Sequence, residues 1–257
     1  MWGKLVAYPT GALVKPLSRH PLYGQTIGIT YTGLQPTVIY DQQAFGACVA
    51  CAIGGCVTCF LDPFAGRPVV SDVALWQDAR RREGIGADIT QGCAIPDAIA
   101  SLNRMGVVEY RITENDICPE NRQAAAKSPP LEAQLQAYDL RVLATATEIQ
   151  PNPSEIGFHL SQPNTYVVGV FGTTDAFQTL QGTADVDCFK SDDGIHCMRF
   201  IGSNVLQNSW GAGWNATESS QQIGLPRGSC AVTPTAIWLA KQVVSLKMEW
   251  SGIRRAA

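Results

Sequence analysis

Residues 41–60 read D-Q-Q-A-F-G-A-C-V-A-C-A-I-G-G-C-V-T-C-F. From Ala47 to Phe60 the side chains are almost wholly apolar and small, and Asp62-Pro63 follows, which predicts a buried helix that stops before the proline. Cys48 then stands at the helix start, where the positive end of the macrodipole favours a thiolate able to attack carbonyl carbon. Gln42, six residues earlier, offers an amide donor to an oxygen that becomes negative, and Gly46 keeps the approach to the sulfur open. Taken alone, a cysteine in an apolar helix is more often a small buried hydrophobe. The functional reading therefore depends on partners elsewhere in the chain.

Those partners stand in residues 194–211, G-I-H-C-M-R-F-I-G-S-N-V-L-Q-N-S-W-G, which read as a β-hairpin turning at Gly202-Ser203-Asn204. Folding there sets His196 across from Asn208 within one or two residues of register. An imidazole and an amide on neighbouring strands are what a thiol nucleophile needs: the amide fixes the ring tautomer, and the other ring nitrogen faces the sulfur. His20, in the N-terminal segment, and His159, on a helix over Ser154–Leu160 with no Asn or aromatic partner read for it, are assigned no titrating role.

Between these stretches the texture changes once. Helices are predicted at Ser71–Arg82, where Ser71 caps and Val73, Leu75 and Trp76 form the apolar face, and at Pro96–Met105, ended by Gly106. Glu132–Tyr138 reads as a further short helix. After Ser128-Pro129-Pro130, alternating and β-branched runs predict strands at Arg141–Ile149, Thr165–Phe171, Ile195–Ile201, Val205–Asn208 and Ala236–Leu246. Residues 1–40, rich in Pro, Gly and Thr with a β-prone piece at Thr26–Tyr31, read as an extended arm.

Composition narrows the function classes. With 46% hydrophobic residues, 16% charged residues and a net charge of -3, the 257-residue chain can bury a full core and lacks the clustered cations that nucleic-acid binding requires. No run of 18 apolar residues occurs, and Pro9 and Gly11 interrupt the N-terminus before a signal-peptide core forms, so neither a membrane span nor a cleaved leader is expected. The expectation is a cytoplasmic or virion-associated protein. Nine cysteines, an odd number, leave at least one thiol free. The sequon Asn215-Ala216-Thr217 reads as accidental without a secretory route.

Gln42, Gly46, Cys48, His196 and Asn208-Ser209-Trp210-Gly211 together resemble the papain-like cysteine proteases, above all the short bacterial and viral forms with D-Q-G-x-x-G-S-C. The segment Gly86–Glu109 is similar to the family's stretch in which a loop precedes a helix and a Gly-Val turn, and the 148 residues from Cys48 to His196 fit the family's spacing. The resemblance implies an α+β fold: one papain-like domain with a 1–37 arm on the right lobe, a helical left lobe over 38–127 and a β-barrel-like right lobe over 128–257. It also implies an active-site cleft between the lobes that takes an extended polypeptide. Cys48 would attack, His196 would take and return the proton, Asn208 would orient His196, and Gln42 with the Cys48 N–H would bind the oxyanion. Gly46, Gly92 and Trp210 are assigned to substrate binding, with Trp210 also covering Asn208. No metal or other cofactor is implied. Val49 replaces the Trp that usually follows the nucleophile, Gln43 replaces a Gly, and Phe45 replaces a Cys, so the disulfide that this Cys would make cannot form.

Two other readings compete. One keeps the scaffold and drops the chemistry, leaving a structural or binding component, for instance of a virus particle. The other takes Cys48, Cys51, Cys56 and Cys59 as a four-cysteine metal module. On one helix the outer two would lie roughly 16 Å apart along the axis, far more than the ~4 Å between sulfurs on one zinc.

Overall fold

The computed structural model describes residues 39–42, 46–61, 69–84, 90–108, 141–192, 194–217, 220–221 and 224–252. The arm with Thr26–Tyr31 and His20, the helix expected at Glu132–Tyr138, and Cys118 lie outside the described residues.

The chain divides into two compact units. One comprises the described residues up to Asp41 with Thr147–Ser245; the other comprises the described part of Gln42–Ala146 with the strand end from Leu246. The second unit is built on three helices: α1 (Cys48–Leu61), α2 (Asp72–Arg82) and α3 (Ile95–Met105). Small residues on every side of α1 let it bury almost completely. Ser71 caps α2 as expected, its Oγ accepting from the Ala74 N–H at 3.1 Å. Pro96 stands in the first turn of α3, and Gly106, at φ 88°, ends it.

Polar contacts fix how these helices pack. The Cys51 thiol on α1 donates to the buried carboxylate of Asp72 at 3.2 Å. Asp78 on α2 accepts from Ser101 Oγ at 2.7 Å and from the Arg104 guanidinium, both on α3. Asn103 then exchanges two hydrogen bonds, at 2.9 and 2.7 Å, with the backbone of Ala144 in β1 (Arg141–Glu148).

In the first unit, α4 (Pro153–Leu160) feeds β2 (Thr165–Gly172), followed by α5 (Asp175–Gln178), β3 (Thr183–Ala184), a 3-10 turn at Val186–Phe189, β4 (Ile195–Gly202), β5 (Val205–Gln207), β6 (Ser229–Val232) and α6 (Pro234–Ile237). The last strand, β7 (Gln242–Gly252), continues past Ser245 into the helical unit. Seven strands run in the order β1-β7-β2-β4-β5-β6-β3, mixed in direction and not closed, so the fold is α+β and the β-rich part is an open sheet. β2 and β4 pair antiparallel along their length, with Phe171 opposite His196. Their core is aromatic: Phe171 packs on Phe189 at 4.7 Å and on Phe200 at 6.2 Å between ring centroids.

Two expectations change. The strand read over Ala236–Leu246 starts only at Gln242, because Thr233 and Pro234 open the short helix α6 in front of it, with Thr233 Oγ1 capping the Ala236 N–H. His159 does have an aromatic partner, the adjacent Phe158, whose ring meets it edge-on with centroids 5.5 Å apart. Asn215 of the formal sequon is buried, donating to the carbonyls of Gly182 and Ser229 at 3.0 and 2.9 Å and accepting from Gly182 N–H at 2.6 Å. Among the described residues no helix is long and apolar enough to cross a membrane.

Candidate active site

The hairpin places the imidazole. β4 and β5 pair Arg199 with Gln207 and Phe200 with Leu206, and a bulge follows between Phe200 and Gly202. Carried past the last paired residues, this register sets Trp210 opposite His196, with Asn208 on the same face one diagonal step away. His196 Nε2 lies 2.6 Å from Asn208 Oδ1. That oxygen also accepts the Ser209 N–H at 2.7 Å, which identifies it as the carbonyl oxygen of the amide. The ring nitrogen facing it is therefore the donor, so the proton sits on Nε2 and the lone pair of the neutral ring on Nδ1. Backbone bonds hold Asn208 in turn, its N–H donating to Gly228 O at 2.8 Å.

An aromatic wall covers the imidazole. Trp210 stacks on His196, ring centroids 4.8 Å apart and planes inclined by 26°. Behind it, Trp214 meets Trp210 edge-on at 5.7 Å, and Phe177 touches both tryptophans. His196 is 5% exposed. Burial pushes its pKa down to about 4, against the opposing effect of the Asn208 hydrogen bond, which favours the charged ring. The backbone of Trp210 bridges Asp41, and Gly211 N–H donates to Tyr40 O at 3.0 Å. Gln42, the next residue in the chain, is buried.

In the helical unit, Cys48 is the first residue of α1 and is half-buried. Its N–H is among those a helix start leaves without an intrahelical acceptor, the first intrahelical bond running from Cys51 N–H to Ala47 O at 2.8 Å. Gly46 lies against a second backbone: a Cβ there would come within 2.6 Å of the Gln91 carbonyl carbon and oxygen. Close approach of the 90–92 segment, more than access to the sulfur, demands glycine at this position. Gly92 packs back on the Gly46 carbonyl. The structure thus groups His196, Asn208 and Trp210 in one unit, and Cys48, Gly46 and Gly92 in the other.

The remaining thiols differ from Cys48. Burial raises the pKa of Cys51, further raised by Asp72, and burial likewise raises those of Cys93 and Cys230. All four cysteines of the CxxC-like run lie in one continuous helix. Among the described residues no group of three or more His, Cys, Asp or Glu is placed to hold a metal ion.

Sequence reasoning passed over Trp214 and Phe177, which back the Trp210 ring, and took Trp76 only as part of an apolar face, missing that the 91–94 segment is bound by Trp76, Arg80 and Glu83. The spacing of the last three, i, i+4 and i+7 along α2 and its C-cap, was the available signal.

No protein-family model matches the sequence, and no curated protein proves similar to it. Solved structures are similar. Xylellain, a cysteine protease from Xylella fastidiosa, superposes with a TM-score of 0.67 at 16% identity, over 96% of this chain and 95% of that one. The chain has the papain-like fold. Two further structures with this fold are procathepsin L 3 of Tenebrio molitor larval midgut (TM-score 0.59, 17% identity, 96% of this chain and 74% of that one) and the bromelain protease of Ananas comosus (0.55, 15%, 83% and 93%). In this papain-like chain the residues singled out by sequence stand at the start of α1 and at the end of the β4–β5 hairpin.

Proposed function

We propose that the chain is a cysteine peptidase that hydrolyses peptide bonds through Cys48, His196 and Asn208. The observation that carries this reading is the His196–Asn208 hydrogen bond under Trp210, because it fixes the one tautomer that leaves Nδ1 as a proton acceptor.

In this mechanism His196 Nδ1 takes the Cys48 proton and the thiolate attacks the carbonyl carbon of the scissile bond. The oxyanion is met by the Cys48 N–H and the Gln42 side-chain amide. Collapse of the tetrahedral species breaks the C–N bond as the imidazolium returns its proton to the leaving amine, forming a thioester. Water, deprotonated by the same imidazole, hydrolyses the thioester and restores the thiol. Gly46, Gly92 and Trp210 take part in holding the extended polypeptide substrate, and no cofactor is used.

The test is hydrolysis of a mixed pool of fluorogenic peptides by the wild type, Cys48→Ala and His196→Ala. Cleavage by the wild type that both substitutions abolish is expected. Cleavage that survives Cys48→Ala would overturn the reading, and a wild type that cleaves nothing would leave the scaffold role as the better account.

A further inference from the structure

Three side chains of α2 and its C-cap bind successive backbone groups of the Gln91–Ala94 segment. Trp76 Nε1 donates to the Gln91 carbonyl at 3.0 Å, Arg80 Nη1 donates to the Gly92 carbonyl at 3.0 Å, and Glu83 Oε1 accepts the Ala94 N–H at 2.6 Å. Gly46 also lies against the segment, where a Cβ would strike the Gln91 backbone. We propose that Arg80 is a positioning residue for substrate: with Trp76 and Glu83 it holds 91–94 as a rigid strap beside the nucleophile-bearing helix start, ready for an extended peptide. The proposal rests on the peptidase reading above.

The residue the clamp skips is Cys93. Its neighbours on both sides are held, whereas its own N–H and C=O have no hydrogen-bond partner among the described residues. The papain-like resemblance already implies that the substrate backbone runs along this segment, where it would pair with those two groups as a strand added to a backbone edge does. Paired donors and acceptors in a flexible loop would have to be ordered at binding, at an entropic cost that a prearranged strap avoids.

Arg80 is the centre of the clamp. It is 3% exposed, its guanidinium lies 5.9 Å from the centroid of the Trp76 ring, and Glu83 neutralises it from 3.7 Å. A planar guanidinium can face the indole and still direct an N–H at a carbonyl, whereas the compact ammonium of lysine has three rotatable donors but no plane to match the indole face.

The experiment compares wild type, Arg80→Met, Arg80→Lys and Glu83→Gln on a peptide of about eight residues, alongside the rate at which iodoacetamide alkylates Cys48. The alkylating agent is too small to use the strap. Arg80→Met should raise KM about 10- to 100-fold with a smaller change in kcat, while alkylation stays within about two-fold of wild type. Arg80→Lys should recover part of the loss. Amide hydrogen exchange should accelerate over 90–94 in Arg80→Met and stay slow over α3. An unchanged KM, alkylation that falls in parallel with cleavage, or exchange that rises equally throughout the helical unit would each overturn the proposal. If wild type cleaves no peptide, the peptidase reading fails, and the exchange measurement still judges the clamp.

Discussion

Trp210 lies face to face with His196, ring centroids 4.8 Å apart, while Asn208 Oδ1 holds the ring at Nε2 from 2.6 Å. The indole lies over the ring whose hydrogen bond to Asn208 sets which nitrogen carries the proton. Replacing Asn208 with Ala should leave the fold intact and lower kcat by roughly 10²-fold, because the ring can then turn and change tautomer. Peptide hydrolysis by the purified variant checks this. Full activity in Asn208→Ala would show that the stack with Trp210 alone is enough.

Burial sets the His196 pKa at about 4 when no anion lies beside it. Cys48→Ala removes the thiol, so in that variant the ring should stay neutral down to about pH 4. The unfolded chain binds a proton near pH 6.5. The unfolded state therefore holds more protons between these values, and stability present above pH 6.5 is lost as pH falls towards 4, on the order of 3 kcal/mol in all. Under the proposed mechanism a Cys48 thiolate raises the His196 pKa in wild type and removes this acid lability. Chemical denaturation at pH 7 and pH 4.5, with NMR titration of the ring in both proteins, separates the cases; identical titrations near pH 4 would mean that no thiolate–imidazolium pair forms.

Cys48 should be alkylated before any other thiol. Cys51, Cys93 and Cys230 are buried, and burial disfavours their thiolates. Cys59 is half-buried like Cys48 but stands in the last turn of the same helix, at the negative end of its dipole. Brief iodoacetamide treatment followed by peptide mapping decides it, and earlier labelling at Cys59 would contradict the assignment.

Gly46→Ala is expected to be more damaging than its size suggests. The added methyl would meet the Gln91 backbone at 2.6 Å, and backbone cannot rotate out of the way as a side chain can. Peptide hydrolysis should fall together with thermal stability. Gln42→Ala, by contrast, should lower turnover about 10²- to 10³-fold through loss of one oxyanion donor, with the melting temperature nearly unchanged.

Asn215 combines a left-handed backbone, φ 51°, with three side-chain hydrogen bonds that tie Gly182 to Ser229. Asn215→Ala loses all three and adopts that backbone less readily, so it should destabilise the protein by about 2–4 kcal/mol. Urea denaturation measures the loss. A change below about 0.5 kcal/mol would show that water replaces the amide.

The local geometry of the candidate site was legible in sequence where its parts are close in the chain. A run of small apolar residues closed by Asp62-Pro63 specifies α1 and puts Cys48 at its start, and a turn at Gly202-Ser203-Asn204 brings His196 and Asn208 together through strand register alone. Short-range propensity and period determine such features wherever the chain later packs. The Ala236–Leu246 run misled for the same local reason: its β-branched residues speak for strand, while the cap at Thr233-Pro234 takes the first of them into α6. Only the tertiary structure decided that Gly46 must yield to the Gln91 backbone, that Trp76, Arg80 and Glu83 converge on the strap, and that Asn215 serves Gly182 and Ser229. It also decided the weak basicity of His196, which follows from the burial of the ring. Contacts between segments far apart in the chain, and the desolvation they produce, depend on packing in three dimensions, which no local pattern of residues encodes.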